Sequence, residues 1–91
     1  MYLIVYDITE PKRLSRVAKM LNRYGVRVQK SVFECDIDEN KYQELRSKLV
    51  LLIDENDSIM SYKLRGYGEY SIVDDIQIAE NKKKANDGFR E

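Results

Sequence analysis

A chain of 91 residues that is 43% apolar and 35% charged has the composition of one soluble globular domain, near the size at which about 60–65% of the chain surface is buried, and neither a disordered nor a membrane-spanning composition. With no histidine it has no Ser-His-Asp or Cys-His pair and no imidazole base or ligand, and its one cysteine, Cys35, excludes an internal disulfide or cysteine metal cluster and fits a reducing compartment. The net charge is zero, yet residues 11–30 hold seven Lys or Arg and no Asp or Glu, so this segment is +7, the remainder is −7, and one face of the fold is expected to be basic.

The first element is Tyr2-Leu3-Ile4-Val5-Tyr6-Asp7-Ile8, a continuous apolar run that reads as a central strand covered on both faces. It has no basic residue before it and is too short for a secretory leader, which leads to an expectation of a cytoplasmic protein. Asp7 stands where the strand emerges. A carboxylate at the carboxyl end of a buried strand is a common ligand or metal position, although the same residue also serves as a plain turn former. Thr9, Glu10 and Pro11 then read as a helix start, with the Thr9 hydroxyl able to cap and Pro11 in the first turn.

The spacing predicts a helix over 11–24, with Leu14, Val17, Ala18, Leu21 and Tyr24 facing the core and Gly25 as the stop. At about 100° per residue, Lys12, Arg16, Lys19 and Arg23 fall within roughly 60° of one another on the opposite side. An ordinary exposed helix would carry Glu–Lys pairs four residues apart; their absence favours an anion-binding face over a merely solvated one. Val26 to Asp36 alternates with a phase change at Lys30-Ser31, giving either two short strands or one long bent strand. Ser31 reads as a strand residue at that change, since no base stands beside it to make it a nucleophile. Asp36 or Asp38 caps a second helix over about 39–53, with Tyr42, Leu45, Leu49, Leu52 and Ile53 as its apolar face. A turn at 54–58 leads to a strand at 59–64, Gly66-Tyr67-Gly68 breaks it, and a final strand occupies about 69–78. Residues 79–91 are polar and expected to be a flexible tail.

The order β-α-β-β-α-β plus one strand specifies an α+β fold, a ferredoxin-like βαββαβ sandwich with an extra C-terminal strand, in a single domain over 1–78. Both helices on one face leave the other face uncovered, and a second copy of the chain would cover it. The expectation is therefore a homodimer, with the final strand pairing with the partner subunit and two copies of Asp7 near the axis.

Tyr6-Asp7-Ile8 closing the first strand, Lys12-Arg13 opening the first helix, Tyr24-Gly25, and Arg27-Val28-Gln29-Lys30-Ser31-Val32-Phe33-Glu34-Cys35 together resemble the Cas-two family of CRISPR-associated adaptation proteins, over residues 1 to about 65. The resemblance implies a homodimeric, metal-dependent endonuclease on single-stranded RNA or double-stranded DNA. It also implies the central dimer that bridges two copies of the Cas-one integrase and holds the DNA to be inserted during spacer acquisition. Asp7 matches the family's catalytic, metal-binding aspartate. Tyr6, Arg16, Arg27 and Phe33 match positions of substrate handling or site geometry, and Cys35 stands where many members have Gly. Mg²⁺, or Mn²⁺ in its place, takes oxygen ligands and is often held by one or two carboxylates. Lys12, Arg13, Arg16, Lys19, Arg23 and Arg27 are the expected nucleic-acid ligands, with Tyr6, Ser31 and Phe33 shaping the site. With no other base in view, the metal would have to supply it. A non-catalytic DNA scaffold is the alternative. A generic RNA-recognition sheet is weaker, because the aromatic pattern of such sheets is absent.

Overall fold

Seven elements follow one another in a computed structural model that describes residues 1–65 and 68–76: β1 (Tyr2–Asp7), α1 (Pro11–Asn22), β2 (Val26–Gln29), β3 (Val32–Cys35), α2 (Glu39–Leu52), β4 (Ser58–Arg65) and β5 (Glu69–Ile76). The strands form one sheet in the order β2-β3-β1-β4-β5, with every neighbouring pair antiparallel. This is the ferredoxin-like arrangement with a fifth strand added beside β4. No helix of the described residues is long and apolar enough to cross a membrane.

Alternation along β1 builds the core. Tyr2, Ile4 and Tyr6 are buried and share a cluster with Val17, Ala18 and Leu21 of α1, Tyr42, Leu45 and Leu49 of α2, and Phe33, Ile59 and Ile76 from the other strands. Tyr2 stacks on Tyr42, with ring centroids 4.4 Å apart and planes within 3°. Leu3 and Val5 are only half-buried, so β1 is central in the sheet but, within one chain, covered on one face only. The apolar run does not distinguish a face covered by helices from one left for another molecule.

Helix α1 starts on Glu10 rather than Thr9. The Glu10 carboxylate accepts the backbone N–H groups of Lys12 at 2.9 Å and Arg13 at 3.0 Å, satisfying two of the orphan donors of the first turn. The helix ends at Asn22 with Arg23 as its C-cap, two residues short of the expected end. Gly25 is therefore not the stop. It is required because a Cβ there would lie 2.2 Å from the Glu34 carbonyl oxygen and 2.6 Å from the Cys35 sulfur, where the chain passes against β3.

The segment 26–35 is two strands joined by a turn at Lys30-Ser31, with a bulge in β2 between Arg27 and Gln29. Ser31 thus lies in the turn, not in a strand. Asp38 caps α2 by accepting the Lys41 N–H at 2.8 Å. β5 pairs with β4 of its own chain from Ile59↔Ile76 to Arg65↔Glu69, so any pairing with a partner subunit concerns its outer edge. The Tyr42 hydroxyl donates to the Asp74 carboxylate at 3.1 Å, and Arg46 also binds Asp74, which ties β5 to α2. The expected break at Gly66-Tyr67, the continuation of β5 to residue 78 and the tail over 79–91 lie outside the described residues.

Candidate active site at the end of the central strand

β1 delivers Asp7, exposed, to the rim of the sheet, and the strand pairing sets it opposite Ser58 of β4. On the other side of β1 the β2–β3 turn comes alongside, its Ser31 carbonyl accepting the Tyr6 N–H at 3.1 Å. The start of α1 closes the third side. Between them lies a cavity of about 370 Å³ lined by Tyr6, Asp7, Ile8, Leu14, Arg27, Lys30 and Ser31. One acidic and two basic side chains thus share a small, polar-rimmed concavity, the arrangement expected of a site that takes an anionic ligand.

One network gives this cavity its shape. The Tyr6 hydroxyl donates to the Lys30 carbonyl at 3.2 Å and accepts from Arg27 Nη2 at 3.1 Å. The Arg27 guanidinium stands 5.3 Å above the ring of Phe33, which is fully buried and sits 6.1 Å from the Tyr6 ring at a 32° tilt. A guanidinium held over a ring face and by one hydroxyl keeps its remaining N–H groups for a ligand. Phe33 is the floor of this arrangement rather than a contact surface. The register Arg27↔Phe33↔Ile4 puts these side chains on the helix-covered face. Asp7 shares its parity with Leu3 and Val5 on the open face, so it meets the others only at the strand's end, where the cavity opens.

Of the expected nucleic-acid ligands, the structure brings Arg27 to the cavity. Lys12, Arg16, Lys19 and Arg23 are exposed along α1, on the side away from Val17, Ala18 and Leu21, and none of them lines the cavity. They form a separate basic stripe. Arg13 is engaged in ion pairs within the fold. Its guanidinium binds Asp57 through Nε at 2.7 Å and Nη2 at 3.4 Å, lies 3.8 Å from Asp54 and 3.9 Å from Glu10, and is held more firmly protonated by the hydrogen bond to Asp57. Its acidic partners come from the Glu10 cap and from the turn after α2, not from a residue four positions along the helix. Lys30, absent from the expected ligands, is the second cation of the cavity; its place beside Ser31 at the phase change is the sequence signal for it.

Among the described residues no three His, Cys, Asp or Glu side chains are grouped to hold a metal ion. Asp7 brings a single carboxylate to the cavity. A hard cation such as Mg²⁺ is often held by one or two carboxylates, with water and substrate phosphate completing its shell. The oxygen donor of Asp7 is of the type such an ion takes.

Comparison with known proteins agrees with this geometry. Residues 1–69 match the family model described as CRISPR associated protein Cas2. Over 65 residues, covering 69% of this chain and 70% of the other, the chain is 48% identical to a protein of Chloroflexus aurantiacus named CRISPR-associated endoribonuclease Cas2 1. It is 46% identical over 68 residues to a protein of Halalkalibacterium halodurans named CRISPR-associated endonuclease Cas2, covering 68% of this chain and 71% of that one. The crystal structure of Streptococcus pyogenes Cas2 at pH 6.5 superimposes with a TM-score of 0.67 at 39% identity, covering 72% of this chain and 87% of that one.

Proposed function

Because the chain belongs to the CRISPR-associated Cas2 family, as the match over residues 1–69 and the identities of 46–48% establish, we propose that it is a metal-dependent endonuclease cleaving phosphodiester bonds in single-stranded RNA or double-stranded DNA. The observation that carries this reading is the meeting of Asp7 with Arg27 and Lys30 around one cavity at the end of β1. The active form is a homodimer in which the Asp7 side chains of the two chains would together hold one Mg²⁺, or Mn²⁺ in its place. Such an ion is often held by one or two carboxylates, and pairing two chains brings two. When bound, the metal offsets charge on the scissile phosphate and lowers the pKa of coordinated water. The protein's own part is to bind and orient. Arg27 and Lys30 hold phosphate oxygens, Tyr6 and Phe33 fix the plane of the Arg27 guanidinium, and the Ser31 backbone anchors the turn that carries Lys30. The single, buried free thiol of Cys35 supports a cytoplasmic location.

The test is cleavage of RNA and duplex DNA by the purified protein with Mg²⁺ or Mn²⁺. Asp7→Ala or a chelator is expected to lower the rate by at least about 10²-fold. Cleavage that survives Asp7→Ala would overturn the reading.

A second reading, a DNA scaffold bridging copies of the Cas-one integrase, is supported by a different observation: the exposed stripe Lys12, Arg16, Lys19 and Arg23 outside the cavity. Reversing the charge of Arg16 and Lys19 together is expected to abolish duplex binding at moderate salt. Spacer acquisition that persists in Asp7→Ala would assign the biological role to the scaffold.

A further inference from the structure

Asp57 is 3% exposed, a carboxylate inside the fold. It accepts two bonds from the Arg13 guanidinium, at 2.7 and 3.4 Å, and a third from the Asp54 backbone N–H at 2.8 Å. A buried carboxylate persists only where its charge is matched and its lone pairs are occupied. A two-pronged guanidinium bond also fixes the orientation of the partner, which a lysine would not.

Each end of this bond sits next to the site. Arg13 is the third residue of α1, in the turn closed by the Glu10 carboxylate. Leu14, the next residue, lines the cavity. Asp57 immediately precedes Ser58, which pairs with Asp7. A closed circuit therefore runs from Asp7 across the strand pair to Ser58, through Asp57 to Arg13, and back along Glu10, Thr9 and Ile8 to Asp7. Ile8 lies in that return path and also lines the cavity.

We propose that the Arg13–Asp57 pair is a clamp that positions the Asp7 segment and the adjoining cavity wall, making Arg13 and Asp57 positioning residues of the nuclease site. This rests on the nuclease reading of Asp7. The clamp is a direct side-chain link between α1 and the residue preceding β4, and without it the Asp7 carboxylate loses one side of its frame. A displacement of about 1 Å at a reacting centre is enough to cost about 10²-fold in rate.

The experiment uses the whole chain with Asp57→Asn and the milder Arg13→Lys, the latter deciding the matter if the former does not fold. Three quantities are read at a temperature where the variants are folded: amide hydrogen exchange along the chain, kcat and KM for RNA cleavage, and the Mg²⁺ concentration giving half-maximal rate. Exchange at residues 7–10 is expected to accelerate about 10-fold or more relative to Ile4 and Phe33. With it, kcat falls about 10- to 100-fold, the half-saturating Mg²⁺ concentration rises and KM stays unchanged. Uniformly faster exchange with wild-type kcat and Mg²⁺ response would reduce the pair to a structural ion pair and overturn the proposal. So would a rise in KM alone in Arg13→Lys, which would return Arg13 to the nucleic-acid ligands. If the wild-type protein shows no Asp7-dependent cleavage, the nuclease reading fails by itself, and the exchange pattern at residues 7–10 still upholds or overturns the clamp.

Discussion

Charge alone does not say what an individual arginine does in this protein. Arg13, Arg16 and Arg27 belong to one +7 segment, yet Arg13 is bound to a buried carboxylate, Arg16 is exposed on the helix, and Arg27 is stacked over Phe33 beside the cavity. Around the helix Arg13 stands about 60–120° from the members of the stripe, and its partner lies 44 residues on. Gly25 is a comparable case. Its neighbourhood suggested a helix stop, while its actual constraint is the closeness of β3. Gly25→Ala is expected to destabilise the protein by about 3 kcal/mol or more, because the clash is with the backbone of Glu34 and Cys35 and cannot be relieved by a rotamer change. A urea denaturation midpoint, compared with that of wild type, measures it. At Cys35 burial pushes the thiol up to about 11; stability from keeping it neutral is fully present below its ordinary value of 9.0 and is lost as pH rises from there through about 11.

At the level of elements, the caps and edges carry the information that hydrophobic patterning lacks. α1 begins with a carboxylate that accepts two backbone N–H groups, and those bonds hold Glu10 below the usual carboxylate range. A depressed carboxyl stabilises the fold above its unfolded titration and loses that stabilisation as pH falls through its folded value. Glu10→Gln is therefore expected to lower the melting temperature by a few degrees at pH 7, with the gap from wild type closing as pH falls below about 4.5; thermal melts of both proteins between pH 3 and 7 check the sign. The two edges of the sheet differ. β2 is exposed throughout, twisted by its bulge and short, a form that discourages pairing with other chains. β5 is longer and is anchored by Asp74 to Tyr42 and Arg46, and burial first, then the Asp74 charge, raises the Tyr42 hydroxyl above its usual range. Across the two helices, Tyr24 donates to Glu44 at 2.6 Å and accepts from Lys48 at 2.9 Å, which lowers the Glu44 carboxyl through the Tyr24 hydrogen bond.

For the whole molecule the decisive asymmetry is between the two faces of the sheet. One is covered by α1 and α2. The other presents Leu3 and Val5 beside Val32, Met60 and Tyr62 in register, with Ile72 61% exposed next to Tyr62. A contiguous apolar surface of this kind on a chain of this size marks an interaction site, and Asp7 lies on the same parity at its margin. The proposed homodimer makes a clear demand: Met60→Lys is expected to shift sedimentation from about twice the 10.8 kDa chain mass to the single-chain mass and to remove metal-dependent cleavage, although Asp7 is untouched. Retention of cleavage by a demonstrably monomeric Met60→Lys protein would separate the catalytic site from the dimer.

Alternation, helical spacing and charge distribution determined the element order, the two-layer α+β class, the basic stripe on α1 and the prominence of Asp7, because each of these depends on residues close together in the chain. Strand-to-strand register, the seating of Arg27 on Phe33 beneath Tyr6, the entry of Lys30 into the cavity and the pairing of Arg13 with Asp57 were decided only in three dimensions. Most of them join residues far apart in the chain, up to 61 positions for Tyr2↔Lys63, and such contacts are selected by packing and by the need to satisfy buried polar groups, which no local periodicity encodes. The same reason explains why an apolar strand marked the centre of the sheet correctly yet left open which of its faces the chain itself would cover.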